Sequence, residues 1–209
     1  VLLIGRNLSP YTRRVAISLS VLGLPFERLL LGTATHMDEI RRFNPLGRVP
    51  ALRLDDGTVL IESGAILDFL DQTVGPERAL VPPSGLDRRR VLHHCALHCG
   101  VLDKAVAVYY EHTRRPADKM HAPWLEHLER QLVEGLAAAE AERPDAEGGW
   151  LLAGETLTQA DITALVTLPF LGAVLPHLVE PGRWPRLEAL VSVRGPAVPG
   201  FPETDPAVG

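Results

Sequence analysis

The chain has 209 residues, 46% apolar, 22% charged and 5% aromatic, which at about 150 residues per domain means one large domain or two small ones. Its 21 Lys and Arg against 26 Asp and Glu leave a net charge of −5, and a sequence pI near 5.9 argues against a broad basic nucleic-acid surface. With only Cys95 and Cys99 and no apolar run of about 18 residues, neither a disulfide framework nor a membrane span is expected, and the reading is a cytoplasmic protein.

Val1 to Ile4 is a continuous apolar run, as in a strand buried on both faces. Ser9 then caps a helix that has Pro10 at its first position, and Val15, Leu19 and Leu22 follow at helical spacing before Gly23 ends it. Phe26 to Leu31 reads as a second strand, Met37 to Phe43 as a short helix and Asn44-Pro45-Leu46-Gly47 as a turn. Val49 to Leu54 and Thr58 to Ile61 are two strands joined by a tight Asp55-Asp56-Gly57 hairpin, after which Ser63 caps an amphipathic helix through Ile66, Leu67 and Leu70. Strands joined through a helix run parallel and the hairpin runs antiparallel, so a mixed sheet with helices on its faces is predicted.

Gly75 to Gly85 holds three prolines and reads as a semi-rigid linker. Beyond it the patterns are helical. Leu86 to His112 carries Leu92, Cys95, Cys99, Leu102, Val106 and Tyr109 at 3–4 spacing, and Trp124 to Glu142 is a second long amphipathic helix. Glu147-Gly148-Gly149 breaks the pattern. Leu157-Thr158-Gln159-Ala160-Asp161-Ile162 is a variant capping box, in which Asp161 reaches back to the N–H of Thr158 and Leu157 and Ile162 form the staple. The helix it opens is apolar nearly all round and therefore central, with a kink expected near Leu165 because of Pro169. Past Arg194, four prolines in fifteen residues predict an extended or disordered tail.

Four stretches carry a resemblance: Ser9-Pro10-Tyr11-Thr12-Arg13-Arg14-Val15, Asn44-Pro45-Leu46-Gly47-Arg48-Val49-Pro50-Ala51-Leu52, Glu62-Ser63-Gly64-Ala65-Ile66-Leu67 and the Thr158–Asp161 box. In this order and spacing the chain resembles the soluble glutathione transferase superfamily, of the serine type and bacterial-like. The resemblance implies an α/β plus all-α fold. A thioredoxin-like glutathione-binding domain with a mixed four-stranded sheet would span 1–75, with a linker over 76–85 and an all-helical domain over 86–209, irregular from about 195. It also implies a homodimer built on the first two helices after the linker, a detoxification role, glutathione as co-substrate with no metal, and a small hydrophobic electrophile as the other partner.

The residues make chemical sense of these implications. Ser9 stands at a helix N-terminus, where the dipole and unsatisfied N–H groups favour an anion. A hydroxyl donating to a thiolate lowers the thiol's pKa from its usual value near ~8.5, so the resemblance makes Ser9 the catalytic candidate, with a plain N-cap as the other reading. Thr12 stands where thioredoxin-type enzymes carry a second Cys, which closes a dithiol mechanism. Val49-Pro50 matches the family's cis-proline, which leaves the Val49 backbone to pair with the cysteinyl backbone of glutathione. Glu62 and Ser63 resemble the pair that holds the γ-glutamyl end, a carboxylate for the ammonium and a hydroxyl at a helix N-terminus for the carboxylate; a helix cap is again the alternative. Arg48 faces the glycyl carboxylate or solvent, with His36 a further candidate for that end. Arg6, Asn7, Tyr109, Tyr110 and His112 are candidates for the electrophile pocket, with helix packing the other reading for the tyrosines.

His93, His94, His98, Cys95 and Cys99 have metal-ligand types, but their i,i+4 pairs point about 100° apart and the cysteines lie on the apolar stripe, so buried thiols and no metal are expected. The resemblance places this helix at the dimer interface, where the histidines would pack. A transferase is the leading expectation. Glutathione-dependent cis-trans isomerisation of maleyl-type acids is the alternative, ranked lower because the Ser-Pro-Tyr-Thr turn departs from that branch's Ser-Ser-Cys and Glu62 replaces its Gln. A non-catalytic binding or scaffold protein of the same fold is the third reading.

Overall fold

The computed structural model describes residues 1–143, 149–152 and 156–208. Glu147 and Gly148, read above as a break, lie outside the described residues. The chain divides into two units, one of Val1–Gly85 together with Gly195–Gly209, the other of Leu86–Arg194.

The first unit is built on three-residue strands in the order β2-β1-β3-β4. β1 (Leu2–Ile4) pairs in parallel with β2 (Glu27–Leu29), joined through α1 (Pro10–Val21). It pairs antiparallel with β3 (Ala51–Arg53), and β3 pairs antiparallel with β4 (Val59–Ile61) across the predicted hairpin. Thr58 N–H donates to Asp56 Oδ1 at 2.8 Å inside that turn, and Gly57 takes φ +88°. The strands are three residues long, although backbone bonds continue past them, from Glu27 N–H to the Val1 carbonyl at 3.0 Å, from Arg6 N–H to the Leu31 carbonyl at 3.2 Å and from Leu54 N–H to the Thr58 carbonyl at 2.8 Å.

Successive strand residues alternate faces. Ile4 and Ala51 join Leu31 and Ile40 of α2 (Met37–Arg41) in one apolar cluster, backed by Leu2, Leu29 and Ile61. Leu3 and Leu52, paired across β1 and β3 and fully buried, turn to the other face. There α1 presents Val15, Ala16 and Leu19, and α3 (Ser63–Val74) presents Ile66, Leu67 and Leu70. The mixed sheet with helices on both faces is as predicted. One cap differs: Glu62, not Ser63, is the N-cap of α3, accepting the Ser63 N–H at 3.0 Å on its own carboxylate. The buried Asp71 carboxylate of α3 accepts from Leu80 N–H at 2.8 Å and Val81 N–H at 3.0 Å, which ties the segment predicted as a linker to the first unit.

The second unit is helical. α4 (Gly85–Arg114) and α5 (Ala122–Glu142) are the two long helices expected, but the buried face of α4 is turned from the predicted stripe: it runs through Val91, His94, Cys95, His98, Val101, Leu102, Ala105 and Val108, and Leu92 is exposed. α6 (Gln159–Val174) buries nearly every side chain, continues through Pro169, and has its Asp161 carboxylate accepting from Thr158 N–H at 2.8 Å, Thr158 O–H at 2.7 Å and Leu151 N–H at 2.7 Å. α7 (Pro185–Ala189) then runs into a π-helical turn over Leu190–Arg194, neither of which was foreseen. Among the described residues no helix is long and apolar enough to cross a membrane.

The last segment departs from expectation. It is neither extended nor part of the helical unit: it forms short 3-10 turns over Gly195–Ala197 and Pro202–Thr204 and belongs to the first unit. Arg13 is the reason. This arginine of α1 is 1% exposed, donates from Nε to Thr204 Oγ1 at 3.2 Å and from Nη2 to the Phe201 carbonyl at 3.0 Å, and stacks on the Phe201 ring at 4.3 Å. A buried guanidinium needs acceptors, and the tail supplies them.

Candidate functional site

Register alone assembles the site. Ile4 pairs with Ala51, and Ala51 with Ile61. The outgoing end of β1, the incoming end of β3 and the outgoing end of β4 therefore lie side by side, and the connections bearing Ser9, Pro50 and Glu62 leave from one end of the sheet. Gly5, the first residue past β1, takes φ +135°, and a Cβ there would lie 2.3 Å from Thr12 Oγ1 and 3.0 Å from Val49 Cβ. Only glycine lets the two turns approach this closely.

Ser9 is the N-cap of α1, with its Oγ accepting from Thr12 N–H at 3.2 Å. It is half-buried, and the first turn of α1 carries no acidic residue to compete with an anion for the helix terminus. The Val49–Pro50 peptide is cis, and the paired part of β3 starts only at Ala51, so Val49 stands outside the ladder. Asn44 shapes the approach to this peptide: buried, it donates from Nδ2 to the Arg48 carbonyl at 2.9 Å and accepts from Leu46 N–H at 3.0 Å.

A small cleft in this unit is lined by Arg48, Val49, Pro50 and Glu62, together with Tyr11, Asn44, Leu46 and Ile61. Four of the six residues expected at the catalytic and glutathione positions thus share one wall. Ser9 and Ser63 are not among that lining, although Tyr11 is two residues from Ser9 and Glu62 is the neighbour of Ser63. Glu62 and Arg48 are exposed, while Ser63 is 2% exposed, with its hydroxyl 3.5 Å from the Glu62 carboxylate. Glu62 also holds φ +71° and ψ +122°, a conformation that costs a non-glycine residue about 1–3 kcal/mol and persists where surroundings enforce it. No sequence signal marks that strain, since Glu has no preference for positive φ. Tyr11 and Asn44 likewise carry no sequence signal of their own beyond lying in the Ser9–Val15 and Asn44–Leu52 stretches.

The remaining candidates are placed as follows. His36 Nδ1 accepts the Gly32 N–H at 3.3 Å and lies 2.7 Å from the Thr35 hydroxyl. Arg6 lies along Gly32, where a Cβ would meet its Cδ and Nε at 3.2 Å. Asn7 is 3% exposed; its Oδ1 accepts from Arg28 Nη1 at 2.5 Å, its amide donates to the Val208 carbonyl, and it does not line the cleft. Burial pulls the Arg28 guanidinium below its usual pKa. In the helical unit, Tyr109 and Tyr110 are half-buried with ring centroids 5.9 Å apart, Arg114 lies 3.9 Å over Tyr110, and His112 is exposed.

The His/Cys segment of α4 turns largely inward. His94 and His98 are 7% and 0% exposed, and His98 Nδ1 lies 3.2 Å from Thr167 Oγ1 of α6. Cys95 is buried 3.7 Å from Thr163 Oγ1, and no disulfide joins it to Cys99. Two of the three histidines are therefore spent on packing inside the unit; the third, exposed His93, meets Glu142 at 2.9 Å. Among the described residues no group of three or more His, Cys, Asp or Glu is arranged to hold a metal ion.

A thioredoxin-like sheet with its cis-proline turn, followed by an all-helical domain, defines the class of the soluble glutathione transferases. Residues 3–78 match the family model of the glutathione S-transferase N-terminal domain and residues 122–191 that of the C-terminal domain. The chain belongs to the glutathione S-transferase superfamily. It is 31% identical to a maleylacetoacetate isomerase of Pseudomonas aeruginosa over 97% of this chain and 93% of the relative. Among solved structures it is similar to a glutathione S-transferase from Methylobacterium radiotolerans in complex with glutathione sulfonate, at 31% identity and a TM-score of 0.89 over 98% of this chain and 94% of that one. A glutathione transferase family member from Pseudomonas fluorescens Pf-5 with bound glutathione is 32% identical, with a TM-score of 0.84 over 98% of both chains.

Proposed function

We propose that the protein is a glutathione transferase that binds glutathione along the cis-Pro50 cleft and activates its thiol at Ser9. The observation that carries this reading is the gathering of Arg48, Val49, Pro50 and Glu62 in one cleft next to the turn that bears Ser9. The Val49 backbone, outside the ladder, would pair with the cysteinyl residue of the peptide. The Glu62 carboxylate would take the γ-glutamyl ammonium, and the N-terminus of α3 at Ser63 the adjoining carboxylate. Arg48, on the same wall, would take the glycyl carboxylate. At the N-terminus of α1 the thiol loses its proton to solvent water, with the Ser9 hydroxyl donating to the thiolate, and the thiolate attacks an electrophilic carbon. A C–S bond forms as a leaving group departs or a π bond takes a proton. Arg6, Tyr109, Tyr110 and His112 belong to this proposal as electrophile-side candidates, and a homodimer as its assembly; Asn7, buried and bonded to Arg28 and Val208, does not.

Glutathione titrated against pH, followed by the ultraviolet absorbance of the thiolate, tests the proposal. The bound thiol pKa is expected below that of free glutathione, and Ser9→Ala is expected to raise it and to lower kcat/KM by about a hundredfold, as for loss of one preorganised donor to a developing anion. Unchanged titration in the variant would overturn the role of Ser9.

A second reading is favoured by the full-length likeness to the Pseudomonas aeruginosa maleylacetoacetate isomerase. The same thiolate would add to a cis double bond, rotation about the resulting single bond would follow, and elimination would return the thiolate and a trans product. The two readings separate by thiol count. With a maleyl-type acid, an isomerase leaves glutathione constant while a transferase consumes it mole for mole. Glutathione binding with neither outcome across electrophile classes would leave the scaffold reading.

A further inference from the structure

The turn that carries Ser9 is held from both sides by the far end of the chain. Two residues before Ser9, the Asn7 amide donates to the Val208 carbonyl, while Asn7 Oδ1 accepts from Arg28 of β2, whose Nη2 also reaches the Gly5 carbonyl at 3.3 Å. Four residues after Ser9, Arg13 is held by Thr204 Oγ1, by the Phe201 carbonyl and by the Phe201 ring. Ser9 itself sits between these grips through short-range bonds: its N–H donates to the Arg6 carbonyl at 3.1 Å, and its carbonyl accepts from Arg13 N–H at 2.9 Å. A displacement of either anchor's backbone therefore reaches the Ser9 backbone, through two residues of chain from Asn7 or through one helical hydrogen bond from Arg13.

The segment that does this is fitted to α1. Gly200 takes φ +83°, and a Cβ there would lie 2.6 Å from Ser20 Oγ, 2.8 Å from Ser20 Cβ and 3.3 Å from Ile17 Cα, so the tail crosses against the helix backbone. The following 3-10 turn closes with Thr204 Oγ1 donating to the Gly200 carbonyl at 2.6 Å. Val198 and Thr204 are 3% and 4% exposed. Burial lowers the Arg13 pKa to about 10, with Asp205 acting to raise it, so the guanidinium keeps its charge and its acceptors at neutral pH. No described tail residue lines the cis-Pro50 cleft; whatever the tail does there, it does through Asn7 and Arg13.

From this geometry we infer that the segment from Gly200 to Val208 is a positioning strap that sets the Ser9 hydroxyl, with Asn7 and Arg13 as its anchors. The inference rests on the proposed role of Ser9. The strap touches neither glutathione nor electrophile. Its effect is on the placement of a donor whose value depends on geometry to within about an ångström.

Two substitutions in the full-length chain test it. Gly200→Ala puts a methyl against Ile17 and Ser20 at a backbone angle that alanine resists, and Thr204→Val removes the acceptor of Arg13 Nε at constant shape. The expected result for Gly200→Ala is a rise of about half a unit or more in the bound glutathione thiol pKa, toward the Ser9→Ala value. With it, kcat should fall about threefold or more while KM for glutathione changes less than about twofold. Thr204→Val should move both quantities the same way by less. A lower melting temperature with bound-thiol pKa and kcat unchanged would reduce the strap to packing and overturn the inference. Should Gly200→Ala fail to fold, Thr204→Val decides on the same readouts. The wild-type titration separates the two levels: no thiol shift there sinks the Ser9 reading and the strap together, whereas a wild-type shift that survives both substitutions sinks the strap alone.

Discussion

The two units place their unusual residues differently. In the sheet-containing unit they sit in connections at one end of the sheet: the cis Val49–Pro50 peptide, the positive φ of Glu62, the Ser9 cap and the forced glycine at Gly5. In the helical unit they are buried along helices, where Asp161, Thr163, Thr167, His94 and His98 are all under 9% exposed and bond chiefly to other parts of that unit. Polar groups gathered in turns around a cleft still have valences to offer a ligand. Polar groups buried inside a helix bundle act as joinery: in the His/Cys cluster, conspicuous in the sequence, His98 is turned onto Thr167 and Cys95 onto Thr163, and among the described residues no metal-holding group forms. The tail belongs to both descriptions, since Arg13 is buried joinery placed one turn from Ser9.

The contrast is sharpest at Asp161. Replacing it with Ala leaves the buried Leu151 N–H and the Thr158 N–H without their acceptor, a loss of about 3 kcal/mol in unfolding free energy. Chemical denaturation should report it with the glutathione affinity of the surviving native fraction unchanged. A fall in affinity of that fraction would break the division of labour drawn above.

A smaller effect is expected from His98. Burial, helped by the neighbouring His94, depresses its pKa to about 3 in the folded chain, against an ordinary 6.5. The unfolded chain therefore binds the extra proton below pH 6.5 while the folded one does not. Stability is then full above about 6.5 and falls as pH drops toward 3, with a slope of at most about 1.4 kcal/mol per pH unit from this residue. His94, also lowered by burial, acts in the same direction, although Glu142 opposes the shift. In His98→Gln the loss of stability between pH 7 and pH 5 should shrink; an unaltered slope would show that other groups govern it.

The smallest stability change should come from the most site-like residue. Glu62→Gly relieves a backbone strain of about 1–3 kcal/mol, offset by a lost capping acceptor of up to about 1 kcal/mol and by about 0.5–1 kcal/mol of added freedom in the unfolded chain, so the unfolding free energy should move by about 1 kcal/mol or less. Glutathione affinity should nevertheless fall about tenfold with loss of the carboxylate, the size expected for a hydrogen bond to a charged group. A large loss of stability with affinity intact would make Glu62 a plain cap.

Much of this was legible in the residues. The longer helices follow from apolar spacing, and the hairpin from Asp-Asp-Gly between two apolar runs. The Thr158–Asp161 box and the Ser9-Pro10 start follow from the chemistry of unsatisfied N–H groups, which acts over three or four residues and so leaves a local signature. The resemblance added the grouping of Val49, Pro50, Glu62 and Ser63, and register explains why Val49, Pro50 and Glu62 share a cleft, with Ser63 the buried neighbour of Glu62.

Tertiary structure decided the rest. Proline-rich composition predicted an extended or disordered tail after Arg194, whereas the tail is ordered by Arg13 and Asn7, whose partners in it lie about 190 and 200 residues away along the chain, and no local pattern carries that information. The backbone angle of Glu62 and the inward turn of His94 and His98 are of the same kind. Sequence by itself settled what depends on neighbours within a turn or a strand pair. What depends on which buried donor meets which distant acceptor was settled only when the chain closed on itself, because desolvation prices a polar group by everything that surrounds it.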